Sequence, residues 1–397
     1  MKRILFMHPV AYVGGASYCM LALLKAVDRS LYEPVALLKK EGPLAVEIRK
    51  LGIDVHFFES PAVPYNQPLW GYKVLASYYK TKKAQKDFAS LLSSLNIDIV
   101  YLNNMMLYPY LKTAKEIGCK TIMHVREHWP HKEHQLQMRR ARRFADKYAD
   151  ALIAINEFSA SMFPECTNKT SIIHDWIDFS DRFESTPFSE IFGRTADDLK
   201  VMLYTGGLAR IKGTLEIVKI FSKYVLGEEY RLLMIGAGLD YHPKLRGLIG
   251  FFERILMFFG WKPYGYKTVE AIKKDKRIVC LPPTYKIVDI FKQSYCMLSY
   301  FTIPHANLAL AEAIALGTVS IAAKTEESFE YSDNGEGAVL YGFKNKKDFV
   351  KKINYVLAHY EEIKDRVMKH SDNISQKFSR DSNATIFNKV LYSVMIK

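Results

Sequence analysis

The feature that most constrains this chain is a pattern that occurs twice. A short apolar run ends in a glycine turn and opens onto a stretch with helical periodicity. The first instance is Arg3–Met7 (RILFM), a loop carrying Gly14–Gly15, and a helical pattern from Ser17 to Val27. The second is Val201–Tyr204 (VMLY), then Gly206–Gly207, then Thr214–Tyr224. Further apolar runs follow the first: Tyr32–Leu38, Asp54–Phe58, Ile97–Leu102, Thr121–His124, Ala151–Ile155 and Thr170–Ile173. After the second come Arg231–Ile235, Arg277–Leu281, Cys296–Ser299, Val319–Ala322 and Ala338–Leu340. Runs without polar alternation, separated by helices, are strands of a parallel sheet covered on both faces. The chain is therefore expected to be α/β, with two doubly wound units facing a cleft and a polar linker over Asp181–Leu199. Such sheets take ligands beyond the carboxyl ends of their strands.

A length of 397 residues suits two domains. With 49% hydrophobic and 25% charged residues, disordered, collagenous and low-complexity classes are excluded. The cysteines at 19, 119, 166, 280 and 296 are odd in number and form no CxxC, so neither a disulfide framework nor a zinc site is expected. They read as reduced thiols of a cytoplasmic protein. The first residues have some signal-peptide character, but His8 and Pro9 cut the apolar run short, and a first buried strand is expected. No apolar run approaches the ~18 residues a membrane span needs. The formal net charge of +14 favours anionic partners: nucleic acid, phosphorylated small molecules or an anionic membrane.

Two stretches look unlike core. Pro64–Lys86 mixes Tyr65, Trp70, Tyr72, Tyr78 and Tyr79 with five lysines, and Leu245–Trp261 (LRGLIGFFERILMFFGW) is aromatic and amphipathic. Each reads either as a surface helix packed on its own domain or as an interfacial membrane contact, with aromatics at the acyl boundary and lysines at headgroups.

Four constellations carry chemistry. Gly14–Gly15 offers backbone N–H groups at a helix start, where an anion is welcome. The turn Gly206–Gly213 adds Arg210 and Lys212 to the same geometry, suited to a diphosphate and to charge on a leaving phosphate. In Ser299–Ala322, Ala306–Leu308 opens a helix with free amides, and Glu312 lies on its first turns, able to accept from ribose hydroxyls. His124, in the run HVREH, ends a buried strand and is expected to face the cleft, as a polar contact to a sugar, a base or an electrostatic stabiliser. His131 and His134 follow nearby without an HExxH pattern, so no metal is expected. Arg139, Arg140, Arg142 and Arg143 read as a solvated helix face or a polyanion contact.

These pieces, in this order, resemble the GT-B nucleotide-sugar glycosyltransferases of the retaining family-4 type (glycosyl transferases group 1). TGGLARIKGTLEIVKIF is similar to the family's GRLxxxKG loop, MIGAG to xIGxG, and AEAIALGTVSIAA to EAMAxGxPVI. In the first half, ADALIAINEFSASMF resembles ADxVIAxSE, and IIHDWIDF the run IxNGID. The resemblance covers nearly the whole chain and is strongest from Tyr204 to Leu340.

It implies two Rossmann-like domains: 1–185 for the acceptor, 195–378 for the nucleotide sugar, and a terminal helix, 379–397, that crosses back to the first. It implies catalytic roles for His124, Arg210 and Lys212. Donor contacts fall on Gly14, Gly15, Gly207, Gly236, His305, Asn307, Leu308 and Glu312. Three departures stand out. Gly207 replaces the usual arginine of the loop, Pro304 replaces a glutamate that meets the donor sugar, and Leu245–Trp261 looks like an insertion.

The expected function is transfer of a sugar from a nucleoside-diphosphate sugar to a hydroxyl acceptor, with retention, metal-independent and without a cofactor. The expected acceptor is a surface polysaccharide or lipid-linked saccharide, reached at the inner face of the cytoplasmic membrane through a peripheral contact. Nucleic acid is not expected, since no recognition motif accompanies the basic residues. Two alternatives stay open: a non-catalytic sugar-nucleotide-binding scaffold, motivated by Pro304, and a nucleotide-sugar epimerase.

Overall fold

A computed structural model of the chain describes residues 1–12, 14–63, 72–129, 135–179, 187–193, 198–239, 254–284 and 287–396. It divides into two compact units: Met1–Trp176 with Phe378–Lys397, and Ile177–Lys377.

Unit 1 is built on seven parallel strands. They are β1 (Lys2–His8), β2 (Tyr32–Leu38), β3 (Asp54–Phe57), β4 (Ile99–Leu102), β5 (Lys120–Val125), β6 (Ala151–Ala154) and β7 (Thr170–Ile172), in the order β3-β2-β1-β4-β5-β6-β7. Its helices are α1 (Gly15–Ala26), α2 (Pro43–Lys50), α3 (Tyr72–Ser94), α4 (Tyr110–Glu116), α5 (Gln135–Tyr148) and α6 (Glu157–Ser161). Side chains alternate across the sheet, and both faces are apolar, as continuous hydrophobic strands require. Leu5, Met7, Leu37, Val100, Leu102 and Met123 face a core shared with Phe88 of α3 and Tyr110 of α4. Ile4, Phe6, Ala36, Tyr101, Ile122 and Ile153 face the other, shared with Met20 and Leu24 of α1.

Unit 2 repeats the plan with six parallel strands. In chain order it has α7 (Phe188–Phe192), β8 (Lys200–Tyr204), α8 (Thr214–Tyr224), β9 (Tyr230–Ile235), α9 (Tyr264–Lys273), β10 (Ile278–Leu281), α10 (Val288–Gln293) and β11 (Cys296–Leu298). It continues with α11 (Leu308–Ala315), β12 (Ser320–Lys324), α12 (Glu326–Glu330), β13 (Val339–Gly342), α13 (Lys346–Ala358) and α14 (Tyr360–Lys377). The strand order is β10-β9-β8-β11-β12-β13. The final helix, α15 (Arg380–Ile396), lies in unit 1, where Phe387, Leu391 and Val394 join the core beside Phe6 and Tyr101.

Every strand expected from the apolar runs is present, and both sheets are parallel and doubly wound. Each order reverses at one point, between β1 and β4 and between β8 and β11, and ligands of such sheets bind outside that point. No helix among the described residues is long and apolar enough to cross a membrane. The first part of Pro64–Lys86, the start of Leu245–Trp261, His131 and His134 lie outside the described residues.

Candidate functional site

In unit 2 the carboxyl end of β8 opens into the loop 205–213, which two glycines make possible. Gly207 has φ +61°, and a Cβ there would lie 3.1 Å from the carbonyl oxygen of Gly236, at the end of β9. Gly213 has φ +63°, and its Cβ would lie 2.0 Å from the carbonyl oxygen of Tyr300. The left-handed conformation and the close backbone approach both require glycine. The loop is latched from below. Tyr204 Oη lies 2.7 Å from Thr214 Oγ1, and Thr214 Oγ1 lies 2.9 Å from the carbonyl of Gly207, to which it donates.

A second loop, 299–307, carries the chain from β11 to α11 and is stapled to the first. Thr302 donates its N–H to the carbonyl of Ile211 at 2.9 Å and its hydroxyl to that of Arg210 at 3.2 Å. Lys212 Nζ sits 4.3 Å from the centroid of the Phe301 ring, a cation–π contact. Arg210–Lys212 form a short 3-10 turn in which Arg210 is exposed and Lys212 half-buried. Burial of the Lys212 ammonium lowers its pKa to about 8. Desolvation penalises the charged form, and an incoming polyanion restores it.

Asn307 precedes α11 and makes no side-chain cap bond to it; its Nδ2 donates instead to Ser299 Oγ at 3.0 Å. The helix start at Leu308 therefore keeps the first-turn amides that a cap would otherwise occupy. His305 is half-buried, edge-on to Phe301 at 5.6 Å. Glu312 is the fifth residue of α11 and only 5% exposed, deeper than a first-turn position suggests. Gly207, Gly236, Arg210, Lys212, His305, Asn307 and Leu308 are thus gathered on the loops at the β8–β11 switch point.

In unit 1, Gly14 caps α1 with extended backbone and no side-chain bond, and Gly15 has open space where a Cβ would stand. Beside this helix start lies a buried polar chain that the sequence reading missed. Ser17 Oγ lies 3.1 Å from His8 Nε2, and Asn103 Nδ2 lies 3.1 Å from His8 Nδ1. Asn103 Oδ1 accepts from Arg126 Nε at 3.2 Å, and Arg126 Nη1 pairs with Asp175 at 2.7 Å. The amide donates to Nδ1, which assigns the proton of neutral His8 to Nε2, facing Ser17. Burial, then the charge of Arg126, lowers the His8 pKa to about 3. Burial works against the charge of Arg126 too, but Asp175 outweighs it and holds the guanidinium protonated. Its Nη2 is enclosed and has no hydrogen-bond partner among the described residues. Burial pushes the pKa of neighbouring Glu127 up to about 7, against the N–H of Met105, which donates to its Oε2 at 3.0 Å.

His124 is placed differently from expectation. It pairs in register with Ile153 inside β5 and is 1% exposed, with Nδ1 2.6 Å from Tyr101 Oη. It is the last residue but one of β5, on the face that α15 covers, and the residues that follow it, Val125, Arg126 and Glu127, are buried as well. A polar signal was available in the sequence: Asn103 follows directly on the apolar strand β4, and Arg126 directly on the end of β5.

Residues 189–370 match the family model of glycosyl transferases group 1. No curated protein matches the chain in sequence. Several solved structures are similar in fold. HepE of Anabaena, in complex with UDP and glucose, has a TM-score of 0.75 at 16% identity over 99% of this chain and 100% of its own. A glycosyltransferase from Rickettsia africae scores 0.70 at 16% identity over 99% and 98%. Sucrose-phosphate synthase from Thermosynechococcus elongatus scores 0.71 at 11% identity over 100% of both. Residues 189–370, with the clamped loops of the β8–β11 mouth, thus match the glycosyl transferases group 1 family, in a chain whose two Rossmann-like units have the fold of the GT-B glycosyltransferases.

Proposed function

We propose that the protein transfers a sugar from a nucleoside-diphosphate sugar to a hydroxyl acceptor, with retention of configuration. The observation that carries this reading is the clamp between loops 205–213 and 299–307. It combines a desolvated ammonium, an exposed guanidinium and an uncapped helix start on one mouth.

In this reading Lys212, Arg210 and the amides at Leu308 take the diphosphate, with Gly207 and Gly236 allowing its close approach. Glu312 holds the ribose, and His305 and Asn307 line the sugar side. Gly14 and Gly15 are further proposed donor contacts, and His124 orients Tyr101 rather than touching sugar. The bond from the anomeric carbon to the phosphate oxygen breaks, and the acceptor oxygen bonds to that carbon on the same face. The acceptor proton passes to the departing phosphate oxygen. The charge that develops is met by fixed donors, the arrangement that stabilises a transition state most. These cations take the neutralising role, so the reaction is proposed to need no added metal.

UDP-sugars are the first donors to try, because HepE has been seen with UDP-glucose. The acceptor is proposed to be a surface polysaccharide or lipid-linked saccharide at the inner face of the cytoplasmic membrane. Support comes from exposed Leu75 and Tyr79 beside Lys80, Lys82 and Lys83 on α3, and from Arg140 lying 4.3 Å over the Tyr78 ring. Pro304 in place of a carboxylate favours one second reading, a scaffold that binds donor without turnover.

The test is thermal shift with UDP and UDP-sugars on wild type and Lys212→Ala, followed by turnover with metal chelated. A selective stabilisation lost in the variant, then nucleotide release dependent on an acceptor, is expected. No shift with any nucleotide sinks the reading; binding without release leaves the scaffold.

A further inference from the structure

We infer that the outer face of α8 and α9 in unit 2 docks on an anionic lipid surface, with residues 255–261 entering the acyl boundary. The inference deepens the lipid-linked reading above and rests on it. The apolar half is a short step before α9. Phe258 and Phe259 are 86% and 78% exposed, their rings 5.5 Å apart and perpendicular, and Leu256 and Trp261 are also exposed. Two adjacent phenylalanines spending that much surface in water are unusual unless something covers them.

The charged half begins at the next residue. Lys262 Nζ pairs with Glu270 Oε2 at 2.7 Å, and Lys274 reaches the same carboxylate. Beyond Glu270 runs a groove of about 810 Å³ between α8 and α9. Of its three carboxylates, Glu270 is met by these lysines and Asp275 by Arg277 at 2.8 Å, while Glu228 stands exposed at the far end of the groove. Lys219, Lys223 and Lys267 line it exposed, with no salt bridge among the described residues. Lysines are strongly hydrated point charges on flexible stems. Spread along a groove beside an aromatic step, they suit a layer of headgroups better than one fixed phosphate, which an arginine fork would grip.

The polarity of the face fits the proposed chemistry. Tyr264, the first residue of α9, accepts the N–H of Leu215 at 2.8 Å and donates to Glu216 at 2.7 Å, in the first turn of α8. The aromatic step therefore lies at the end of the unit that carries Lys212, and the lysine groove runs away from it. A bilayer seated on this face would meet the unit at the level of the donor mouth, where a lipid-linked acceptor has to arrive.

Flotation of the full-length protein with phosphatidylcholine vesicles, with and without phosphatidylglycerol, tests this. Wild type is expected to float only with the anionic vesicles and to be released by salt. Phe258→Ser/Phe259→Ser and Lys219→Ala/Lys223→Ala/Lys267→Ala are each expected to bind at least about tenfold more weakly, since each surface lysine contributes roughly fivefold. Both should keep the wild-type UDP-induced thermal shift, which confirms folding and separates this surface from the donor site. Wild type that fails to float while keeping its UDP shift overturns the docking and leaves the transferase reading intact. Variants that float like wild type overturn the placement. A wild-type dimer that becomes monomeric in the phenylalanine variant, with flotation unchanged, overturns it too by assigning the face to self-association.

Discussion

Lys212 shows how one desolvated charge can tune a site. With its pKa lowered to about 8, the free side chain loses its proton just above neutrality. A diphosphate binds the protonated form, so binding and protonation are linked. Below pH 8 the lysine is already charged, and affinity is flat. Above it, each further unit costs up to roughly tenfold in affinity, because the proton has to be recovered on binding. Calorimetry with UDP from about pH 7 to 10 avoids the titration of the nucleotide's own terminal phosphate. The expected trace bends near pH 8 in wild type and stays level in Lys212→Arg, whose guanidinium keeps its proton throughout. A wild-type trace without the bend would remove Lys212 from the diphosphate contact. Lys212 was legible in the sequence because it stands in a glycine turn after an apolar strand. The Ser17–His8–Asn103–Arg126–Asp175 chain was not, because its members are spread from position 8 to position 175 and only the sheet brings them together. His124 misled for a related reason. The apolar run showed where β5 lies, but not that its end is enclosed.

At the scale of elements, the two loops of unit 2 work as one rigid part, and Gly213 is where that can be tested. An L-residue at φ +63° costs roughly 1–2 kcal/mol. Gly193, in the same unit at φ +81° and ψ −166° with nothing within 4 Å of a Cβ, would incur backbone strain alone, in a region that only glycine enters readily and worth roughly 1–3 kcal/mol. At Gly213 the new Cβ also meets the Tyr300 carbonyl at 2.0 Å, a backbone atom that cannot swing aside. The loops would have to part, and the Thr302–Ile211 bond with them. Gly213→Ala should therefore destabilise unit 2 by about 3–4 kcal/mol against about 1–3 for Gly193→Ala, adding the overpacking penalty to the strain, and only Gly213→Ala should part the two loops. Denaturant unfolding measures both, and UDP affinity should fall only in the first. Equal losses would mean that the loops tolerate separation and that the clamp is not what holds the mouth. The strands of this unit were readable from apolar runs alone. The clamp was not, because a glycine kept clear for a carbonyl 87 positions away looks, in sequence, like any other turn.

At the scale of the whole molecule, the chain's last helix decides how stability is shared. Strand patterning says that α15 is a helix but not which sheet it covers. The structure answers through specific contacts. The Phe387 ring lies 5.9 Å from that of Tyr101, Asn388 Nδ2 donates to the carbonyl of Ala26 at 2.8 Å, and Asn383 Oδ1 accepts the N–H of His174 at 2.9 Å. Phe387, Val390, Leu391 and Val394 are all buried in the core of unit 1. At about 1.5–3 kcal/mol each, their removal costs roughly 6–12 kcal/mol, as much as a domain's whole stability. A chain ending at Lys377 should therefore lose unit 1 while keeping unit 2, whose 177–377 core contains none of these residues. Scanning calorimetry should show two transitions in the full chain and one in the truncated chain, with the survivor still raised by UDP. Limited proteolysis should leave a fragment bounded near residue 177. Retention of both transitions would show that the sheet of unit 1 closes its core without α15. Loss of both would show that unit 2 depends on unit 1 for its own stability, and the donor site could then not be studied on a domain alone.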